Sequence, residues 1–156
     1  MSHKIEIGQS KVVESRETQD GSMVRRRREM PDGRRFTTYE RIERPTILVG
    51  KKSGSKEIFD RDKLYRATRN SVGKFFASEL EVEDVVGRVE NAVYSAGLEE
   101  VESKFIGEAM LDVLAEVNEV AFVRFASVFR EFKSMGEFEE IIDSHRSKVV
   151  KKKGSR

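Results

Sequence analysis

Four consecutive arginines at positions 25–28 are the most distinctive chemical feature of this 156-residue chain. Guanidinium groups suit phosphate oxygens and the edge of guanine. Arg16 brings a further guanidinium from upstream, and Thr37 and Thr38 follow with hydroxyls that can add phosphate contacts. This set favours a nucleic-acid-binding surface, and a solvated charged face is the alternative interpretation of such a run.

Side chains alternate along an extended strand, which would divide the four arginines between two faces. Arg25 and Arg27 would project to one side, and Arg26 and Arg28 to the other. One pair could then meet a nucleic acid while the other pairs with nearby carboxylates, for which the candidates are Glu29, Glu40 and Glu43.

Three lysines around a short turn form a second group that suits phosphate. Lys51 and Lys52 lie in a glycine-containing turn, and Lys63 falls in the first turn of a predicted helix, where backbone N–H groups attract anions. The turn is not a P-loop, because the second glycine of that motif, counted from Gly50, falls on Ser55. We therefore interpret the lysines as binding a polyphosphate without hydrolysing it, and a hairpin with solvated lysines is the alternative.

Turn residues and apolar spacing divide the chain at Pro45 into two modules. Before it, turn signals at Asp20-Gly21 and at residues 31–33 separate three predicted strands, at about 11–14, 23–27 and 35–40. After it, strands at 47–49 and 57–59 form a hairpin that leads into four or five helices. The predicted fold class is therefore α+β, with a small β-rich module at 1–44 and a hairpin-plus-helix module at 45–145.

Capping residues and apolar spacing place the helices of the second module. Asp60 and Asn118 stand where N-caps are expected, and a last short helix is predicted at about 137–144. The segment from Glu119 to Arg130 is apolar nearly all round, so we expect a core helix or an oligomer interface. Arg124 within that segment would need an acidic or phosphate partner.

Charge is distributed unevenly, although the net charge is only +2. Residues 1–44 carry 11 basic and 8 acidic side chains, residues 45–145 carry 13 and 20, and residues 146–156 carry 6 and none. The middle module should therefore repel nucleic acid, whereas both flanks attract it. We expect residues 146–156 to form a disordered basic tail that adds non-specific affinity for polyanions.

Composition excludes several kinds of site. The chain has no cysteine, which rules out disulfides, thiolate zinc sites and cysteine nucleophiles, and His3 and His145 are too few for a multi-histidine metal centre. No nucleophile, base or metal cluster is visible, so we do not expect an enzyme. No apolar run reaches the roughly 20 residues of a membrane span and no signal peptide is apparent, so we expect a soluble, cytoplasmic protein without membrane contact.

Four segments in the same order resemble the NrdR family of bacterial transcriptional repressors. They are Glu14-Ser15-Arg16, the arginine run with Glu29, residues 33–41 (Gly-Arg-Arg-Phe-Thr-Thr-Tyr-Glu-Arg) and the string 120–130. The turn at 51–54 and the sequence Phe59-Asp60-Arg61-Asp62-Lys63 are similar to the fingerprint of an ATP cone. The resemblance spans about residues 10–142. It implies a zinc-ribbon-like module followed by an ATP cone, and a repressor of ribonucleotide reductase genes.

The resemblance also implies roles by position. In the cone, which binds ATP and dATP in that family, phosphates would be held by Lys51, Lys52 and Lys63, and the base and ribose side would be shaped by Val49, Glu57 and Phe59. In the first module, the residues facing DNA would be Arg16, Arg25, Arg26, Arg27, Arg28, Thr37 and Thr38. Nucleotide identity would set the oligomeric state (dimer, tetramer or larger) and so the grip on operator DNA. Such a protein would be cytoplasmic and associated with the bacterial nucleoid.

The resemblance fails at the metal site. That family closes its ribbon with two pairs of cysteines, but here residues 3–8 read His-Lys-Ile-Glu-Ile-Gly and residues 30–33 read Met-Pro-Asp-Gly. His3, Glu6 and Asp32 do not make a tetrahedral zinc site, so we expect no zinc. The alternating isoleucines at positions 5 and 7, together with Met30, predict an apolar mini-core in place of the metal.

Two functions therefore stay open. The first is a repressor, regulated by adenine nucleotides, that binds double-stranded operator DNA as a homo-oligomer. The alternative is a nucleotide-sensing module that acts on a protein partner after losing zinc-dependent DNA binding. Salt dependence distinguishes them, because arginines that grip phosphates give an affinity that falls steeply as salt rises.

Overall fold

A computed structural model describes residues 4–19 and 21–154, and the chain separates into two compact units between Pro45 and Thr46. This division lies one residue from the boundary placed by the sequence. The first unit is built from strands, and the second combines a small sheet with α-helices. The α+β fold class is confirmed.

The first unit is an antiparallel meander of three strands, β1 (Lys11–Glu17), β2 (Met23–Glu29) and β3 (Arg35–Arg41). The three predicted strands are confirmed, and each is longer than expected. Gly33 has a φ of 87°, a conformation that glycine adopts readily, and its N–H donates to the carbonyl of Met30 in the turn between β2 and β3. The other turn signal includes Asp20, which lies outside the described residues.

The apolar mini-core of the first unit is formed only in part. Met23 and Met30 are buried, with exposed fractions of 2% and 7%, whereas Ile5 and Ile7 are 53% and 57% exposed. The expectation that the two isoleucines help to form this mini-core is wrong. Ile7 begins a 3-10 turn (Ile7–Gln9) instead, because the N–H and the hydroxyl of Ser10 both donate to its carbonyl oxygen. Of the three residues named for this core, Met30 is the buried one.

The second unit contains a three-stranded sheet in the order β5-β4-β6. Strand β4 (Leu48–Gly50) pairs antiparallel with β5 (Lys56–Ile58) and parallel with β6 (Glu100–Glu102). The β4–β5 hairpin agrees with the predicted one. Strand β6 is absent from the sequence prediction, because Val101 is its only apolar residue and three residues offer no alternation to detect.

Five helices complete the second unit within the described part of the chain. They are α1 (Arg61–Val72), α2 (Glu79–Ser95), α3 (Ser103–Val117), α4 (Glu119–Phe129) and α5 (Met135–Lys153), with a 3-10 turn (Gly73–Phe75) after α1. The predicted caps are confirmed, since the Asp60 side chain accepts from the N–H of Lys63 and the Asn118 side chain accepts from the N–H of Ala121. The Asn118 amide also donates to the carbonyl of Phe75 at 2.9 Å, which ties α4 to the segment after α1.

Helix α4 has one buried side and one open side. Ala121 and Phe122 belong to the main core, in which Leu114 of α3 is fully enclosed. Val120 and Val128 are 61% and 63% exposed. The helix that the sequence describes as apolar nearly all round is therefore a core helix whose open side exposes two valines with Arg124 between them.

The C-terminal segment differs from the prediction. Helix α5 continues to Lys153, so the expectation of a short helix at 137–144 is wrong, and the expectation of a disordered tail is wrong for residues 146–153; residues 155 and 156 lie outside the described part of the chain. The cause is a seam of side chains at helical spacing, in which Ile141 is buried and His145 and Val149 are half-buried. The His145 ring packs on the Phe122 ring of α4 with a centroid distance of 5.0 Å. None of the described helices is long and apolar enough to cross a membrane.

Candidate nucleotide and nucleic-acid sites

The β4–β5 turn carries two of the three predicted phosphate-binding lysines. Two backbone hydrogen bonds of 2.9 Å close it, from the N–H of Lys51 to the carbonyl of Ser55 and from the N–H of Gly54 to the carbonyl of Lys51. The turn leaves Lys52 exposed, and its ammonium group has no ion-pair or hydrogen-bond partner among the described residues. This cation is therefore available to a ligand.

Glu57 joins the other two lysines, and together with Lys52 we call these residues the lysine cluster. One Glu57 carboxylate oxygen lies 3.0 Å from the Lys51 ammonium, and the other lies 2.7 Å from the Lys63 ammonium. Hydrogen bonds from Lys63 and then Lys51 lower the pKa of Glu57 below its usual 4.5, and Glu57 raises the pKa of Lys63. Two cations thus flank one carboxylate on an accessible surface, and the unpaired Lys52 lies in the adjacent β4–β5 turn, which favours binding of a further anion.

Val49 and Phe59 have different surroundings from the lysines. The Val49 side chain is only 5% exposed and belongs to a small core with Val93 of α2 and Val101 of β6. Phe59 is half-buried, and its ring meets the Tyr94 ring edge to face at a centroid distance of 6.1 Å. Both side chains hold the hairpin against α2, and their place beside a base or ribose stays a prediction.

Arg61, the first residue of α1, is a charged residue whose role the sequence analysis missed. Its guanidinium lies 2.6 Å from Glu83 and 3.1 Å from Glu90, both on α2. These side chains are 13%, 5% and 15% exposed, so the network is nearly buried. It fixes the start of α1, and with it the backbone that carries Lys63, against α2. The sequence signal is weak, since Glu83 and Asp84 merely interrupt an apolar stretch of α2.

The strand register places four of the predicted DNA-binding residues on one side of the β1-β2-β3 sheet. Arg25 is directly opposite Arg16 of β1, and Arg27 is directly opposite Thr37 of β3. Because paired residues of antiparallel strands share a face, these four side chains project together, and we call them the arginine face. Arg16 pairs with Glu14, whereas Arg25 and Arg27 make no ion pair or side-chain hydrogen bond with another described residue.

The remaining three, Arg26, Arg28 and Thr38, lie on the opposite side and are already engaged. Arg26 forms an ion pair with Glu40 at 3.1 Å. The Arg28 guanidinium donates to the hydroxyls of Thr38 and Ser10, each at 3.2 Å. The expected division of the arginines into two pairs, one of which meets a carboxylate, is confirmed for Arg26. Contact of these three side chains with DNA would require their present bonds to break.

The residues at the positions of the family's metal ligands do not fit zinc. Glu6 accepts a hydrogen bond from Gln9 at 2.7 Å, Asp32 accepts from the backbone and side chain of Arg34, and Met30 is buried. Within residues 4–19 and 21–154, no three His, Asp or Glu side chains come close enough to share a metal ion. His3 lies outside the described residues. Zinc sites in proteins usually have three or four well-placed nitrogen, sulfur or carboxylate ligands, and the described residues at this position offer no such set.

Arg124 has a different environment from the one expected. It lies exposed on α4, beside an open cleft between α4 and α5 of about 570 Å³, and no described carboxylate pairs with it. An acidic partner for Arg124 is therefore not found among the described residues, and the alternative, a phosphate partner, stays a prediction.

Comparison with known proteins agrees with this two-part arrangement. Residues 6–40 match the family of transcriptional repressor NrdR-like N-terminal domains, and residues 47–135 match the ATP cone domain. The chain is 46% identical to the transcriptional repressor NrdR of Streptococcus gordonii over 145 residues, which is 92% of each chain. It is 43% identical to that of Pediococcus pentosaceus, over 92% of this chain and 93% of the relative.

The chain belongs to the NrdR family of transcriptional repressors. The resemblance drawn from the sequence is therefore confirmed. The expectation that the chain is not an enzyme is also confirmed, because its relatives are named for a regulatory role. The match to the family's N-terminal domain does not decide the metal content, so the absence of zinc stays a prediction.

Proposed function

We propose that the chain is a repressor of ribonucleotide reductase genes that binds operator DNA under the control of adenine nucleotides. The arginine face carries the DNA part of this proposal. Arg25 and Arg27 project side by side with no ion-pair partner among the described residues, although Arg26 on the other side has one. Such guanidinium groups gain a partner from an external anion, and DNA offers both phosphates and guanine edges.

The lysine cluster supports adenine-nucleotide binding in the second unit. The phosphates of ATP or dATP would replace the Glu57 carboxylate as the partner of Lys51 and Lys63, and Lys52 would add a third cation. Glu57, once displaced, has two acceptor oxygens for sugar hydroxyls. Because dATP has one sugar hydroxyl fewer than ATP, this carboxylate is our candidate for distinguishing the two nucleotides.

Nucleotide identity would act on DNA binding through assembly of the chain. A ligand shifts an equilibrium between two assembly states only by its difference in affinity for them. Val120 and Val128 of α4 are exposed on either side of Arg124, and a second copy could cover these two apolar side chains. We therefore propose homo-oligomers, of two, four or more copies, whose balance depends on whether ATP or dATP occupies the lysine cluster.

A nucleotide sensor that acts on a protein partner is the second candidate function. The observation that favours it concerns the positions of the family's metal ligands. There Glu6 accepts a hydrogen bond from Gln9 and Asp32 accepts one from Arg34, so the two carboxylates are engaged with neighbouring side chains. A first unit without its metal could have lost operator recognition. Its arginine face would then meet an acidic protein surface.

Fluorescence anisotropy with a ribonucleotide reductase promoter fragment and a scrambled fragment tests the first proposal. Each fragment is titrated without nucleotide, with ATP, and with ATP plus dATP. We expect promoter-selective binding that appears only with the right nucleotides. In Arg25→Ala/Arg27→Ala the Kd should rise by about a hundredfold, since each lost base or phosphate contact costs about 1–3 kcal/mol.

The matched control is Arg26→Ala/Arg28→Ala, which removes the same charge from the same strand. Because these two arginines are engaged within the sheet, the control should weaken promoter binding much less. Equal losses in both double variants would contradict the assignment of the arginine face. Weak, salt-sensitive and equal binding of the wild type to both fragments would favour the protein-partner candidate.

A further inference from the structure

Helix α5 changes the sign of its charge along its length. Its N-terminal half carries only carboxylates, namely Glu137, Glu139, Glu140 and Asp143. Its C-terminal half carries only cations after His145, namely Arg146, Lys148, Lys151, Lys152 and Lys153, and all five are exposed. Because this half is an ordered helix, the cations are presented at defined spacings and not along a flexible tail.

The cations of α5 lie on and beside both flanks of the side that packs against the core. Ile141, His145 and Val149 mark the inward side, and Lys152 lies on this side too, with its ammonium 3.3 Å from Glu116 of α3. At about 100° per residue, Arg146 and Lys153 follow one flank and Lys148 and Lys151 follow the other, with Ser147 and Val150 on the outer side between them. We call these four exposed cations together the α5 basic face.

Requirements of the helix itself do not account for this face. Cations offset the helix dipole only in the last turn, and Arg146 and Lys148 lie before that turn. Internal pairing accounts for at most one of the four, Lys151, which has a contact within the chain, because Arg146, Lys148 and Lys153 have no ion-pair or hydrogen-bond partner among the described residues. Four like charges within about 10 Å of helix repel one another, and an external polyanion relieves that repulsion.

We propose that the α5 basic face binds the phosphate backbone of operator DNA, as a second contact that does not read sequence; the choice of DNA rests on the proposed function. Three lysines and one arginine suit this role, since ammonium groups act as point charges toward phosphate and seldom read bases. The contact also answers a difficulty of the charge distribution. Residues 45–145 carry 20 acidic and 13 basic side chains and repel DNA, so a basic helix gives the second unit an attractive surface.

The salt dependence of DNA binding tests this inference in the full chain. The α5 variant replaces Arg146, Lys148, Lys151 and Lys153 by Gln. Each phosphate contact contributes about 0.9 to the slope of log K against log salt, so the slope should fall by about two to four units, equally for promoter and scrambled DNA. A second variant with Arg at the three lysine positions keeps the charges and should keep the slope.

A control variant removes the same charge from exposed positions elsewhere in the second unit. It replaces Arg66, Lys74, Lys104 and Lys133 by Gln, all of which are exposed. Its slope should stay close to that of the wild type, which separates a local contact from the net charge. Circular dichroism of both Gln variants checks that α5 remains helical.

Two results would overturn the inference, and they differ in what else they affect. Equal slopes for the α5 variant and the wild type would overturn it alone and leave the arginine face as the DNA contact. Absence of wild-type binding to either fragment in every nucleotide condition would overturn the proposed function as well. Vesicles of phosphatidylserine and phosphatidylcholine test another anionic surface. If the DNA slopes are equal, and the wild type binds these vesicles whereas the α5 variant does not, the α5 basic face binds an anionic membrane surface instead of DNA.

Discussion

Two glutamates, one in each unit, are held in the same electrostatic arrangement. Glu29 of β2 lies 3.3 Å from the Lys11 ammonium and 2.8 Å from the Arg35 guanidinium. Glu57 lies between two lysines at similar distances, as described above. In both cases hydrogen bonds from two cations lower the pKa of the carboxyl group. The local chemistry is therefore nearly identical, and the proposed roles are not.

The difference lies in what surrounds each carboxylate. Lys11, Glu29 and Arg35 are direct neighbours across three strands, so their ion pairs hold the sheet in register. Glu57 instead links Lys51 of the β4–β5 turn to Lys63 in the first turn of α1. Lys52, which has no ion-pair partner among the described residues, also lies in the β4–β5 turn. A carboxylate between two cations is structural where its partners are cross-strand neighbours. It becomes a candidate ligand site where a further cation is left without a partner.

The largest expected effect comes from the inverse arrangement, in which one buried cation serves two carboxylates. Arg61→Met leaves Glu83 and Glu90 facing each other without a cation. We expect the free energy of unfolding of the second unit to fall by about 3–5 kcal/mol, because removing one partner of a buried ion pair leaves uncompensated charge. Urea denaturation followed by circular dichroism measures this change. The exposed counterpart Lys63→Met should leave the midpoint nearly unchanged, and equal midpoints in the two variants would contradict the distinction between buried and exposed clusters.

The next effect is on ligand affinity. Lys63→Ala should weaken ATP binding by about ten- to a hundredfold, since it removes a charge-assisted hydrogen bond to phosphate, and it should not unfold the chain. Lys11→Ala is the matched control, because it removes the equivalent cation from Glu29 and should leave ATP affinity unchanged. Isothermal titration calorimetry measures both. Unchanged affinity in Lys63→Ala would refute the lysine cluster as the nucleotide site.

The predictable parts of the fold are those decided by neighbours in the chain. Asp60 and Asn118 were identified as caps because a capping side chain bonds to a backbone N–H three residues later. Strand β6 and the extension of α5 depend on distant partners instead. The first exists because it pairs with β4, and the second because His145 packs on Phe122.

The same limit applies to the sites. Strand alternation was enough to divide Arg25 and Arg27 from Arg26 and Arg28, because it is a local rule. The grip of Glu57 on two lysines and the Arg61 network are not local in this sense. Each joins side chains from separate elements, and no spacing in the sequence distinguishes them from solvated charges.

A smaller effect separates the two roles of Glu57, as a competitor for the lysines and as a partner of the sugar. Glu57→Gln releases Lys51 and Lys63, so inorganic tripolyphosphate should bind a few-fold more tightly. ATP should gain less, or lose affinity, because the variant also weakens the proposed contact with sugar hydroxyls. Competition titrations with the two ligands give the ratio directly. Glu29→Gln should change neither affinity, and parallel changes for both ligands in Glu57→Gln would exclude a role at the sugar.

The smallest expected effect is on the pH dependence of the first unit. The pKa of Glu29 lies below its usual 4.5, because hydrogen bonds from Arg35 and Lys11 favour the carboxylate. A group whose pKa is lowered by folding stabilises the native state above its unfolded value, and this stabilisation disappears as the pH falls through the lowered value. The wild type should therefore be more stable than Glu29→Gln at neutral pH, and the difference should vanish well below 4.5.

Amide hydrogen exchange of strands β1 to β3 measures this difference without interference from the second unit. Glu40→Gln is the control, because Glu40 is exposed and Arg26 is its one ion-pair partner among the described residues. It should lose less protection at neutral pH than Glu29→Gln. If Glu29→Gln were still less protected from exchange than the wild type in acid, the Glu29 side chain would act by packing and not by charge. Glu29 and Glu57 would then share only their distances to two cations. Glu29 would not be an example of a carboxylate that stabilises its unit through these ion pairs.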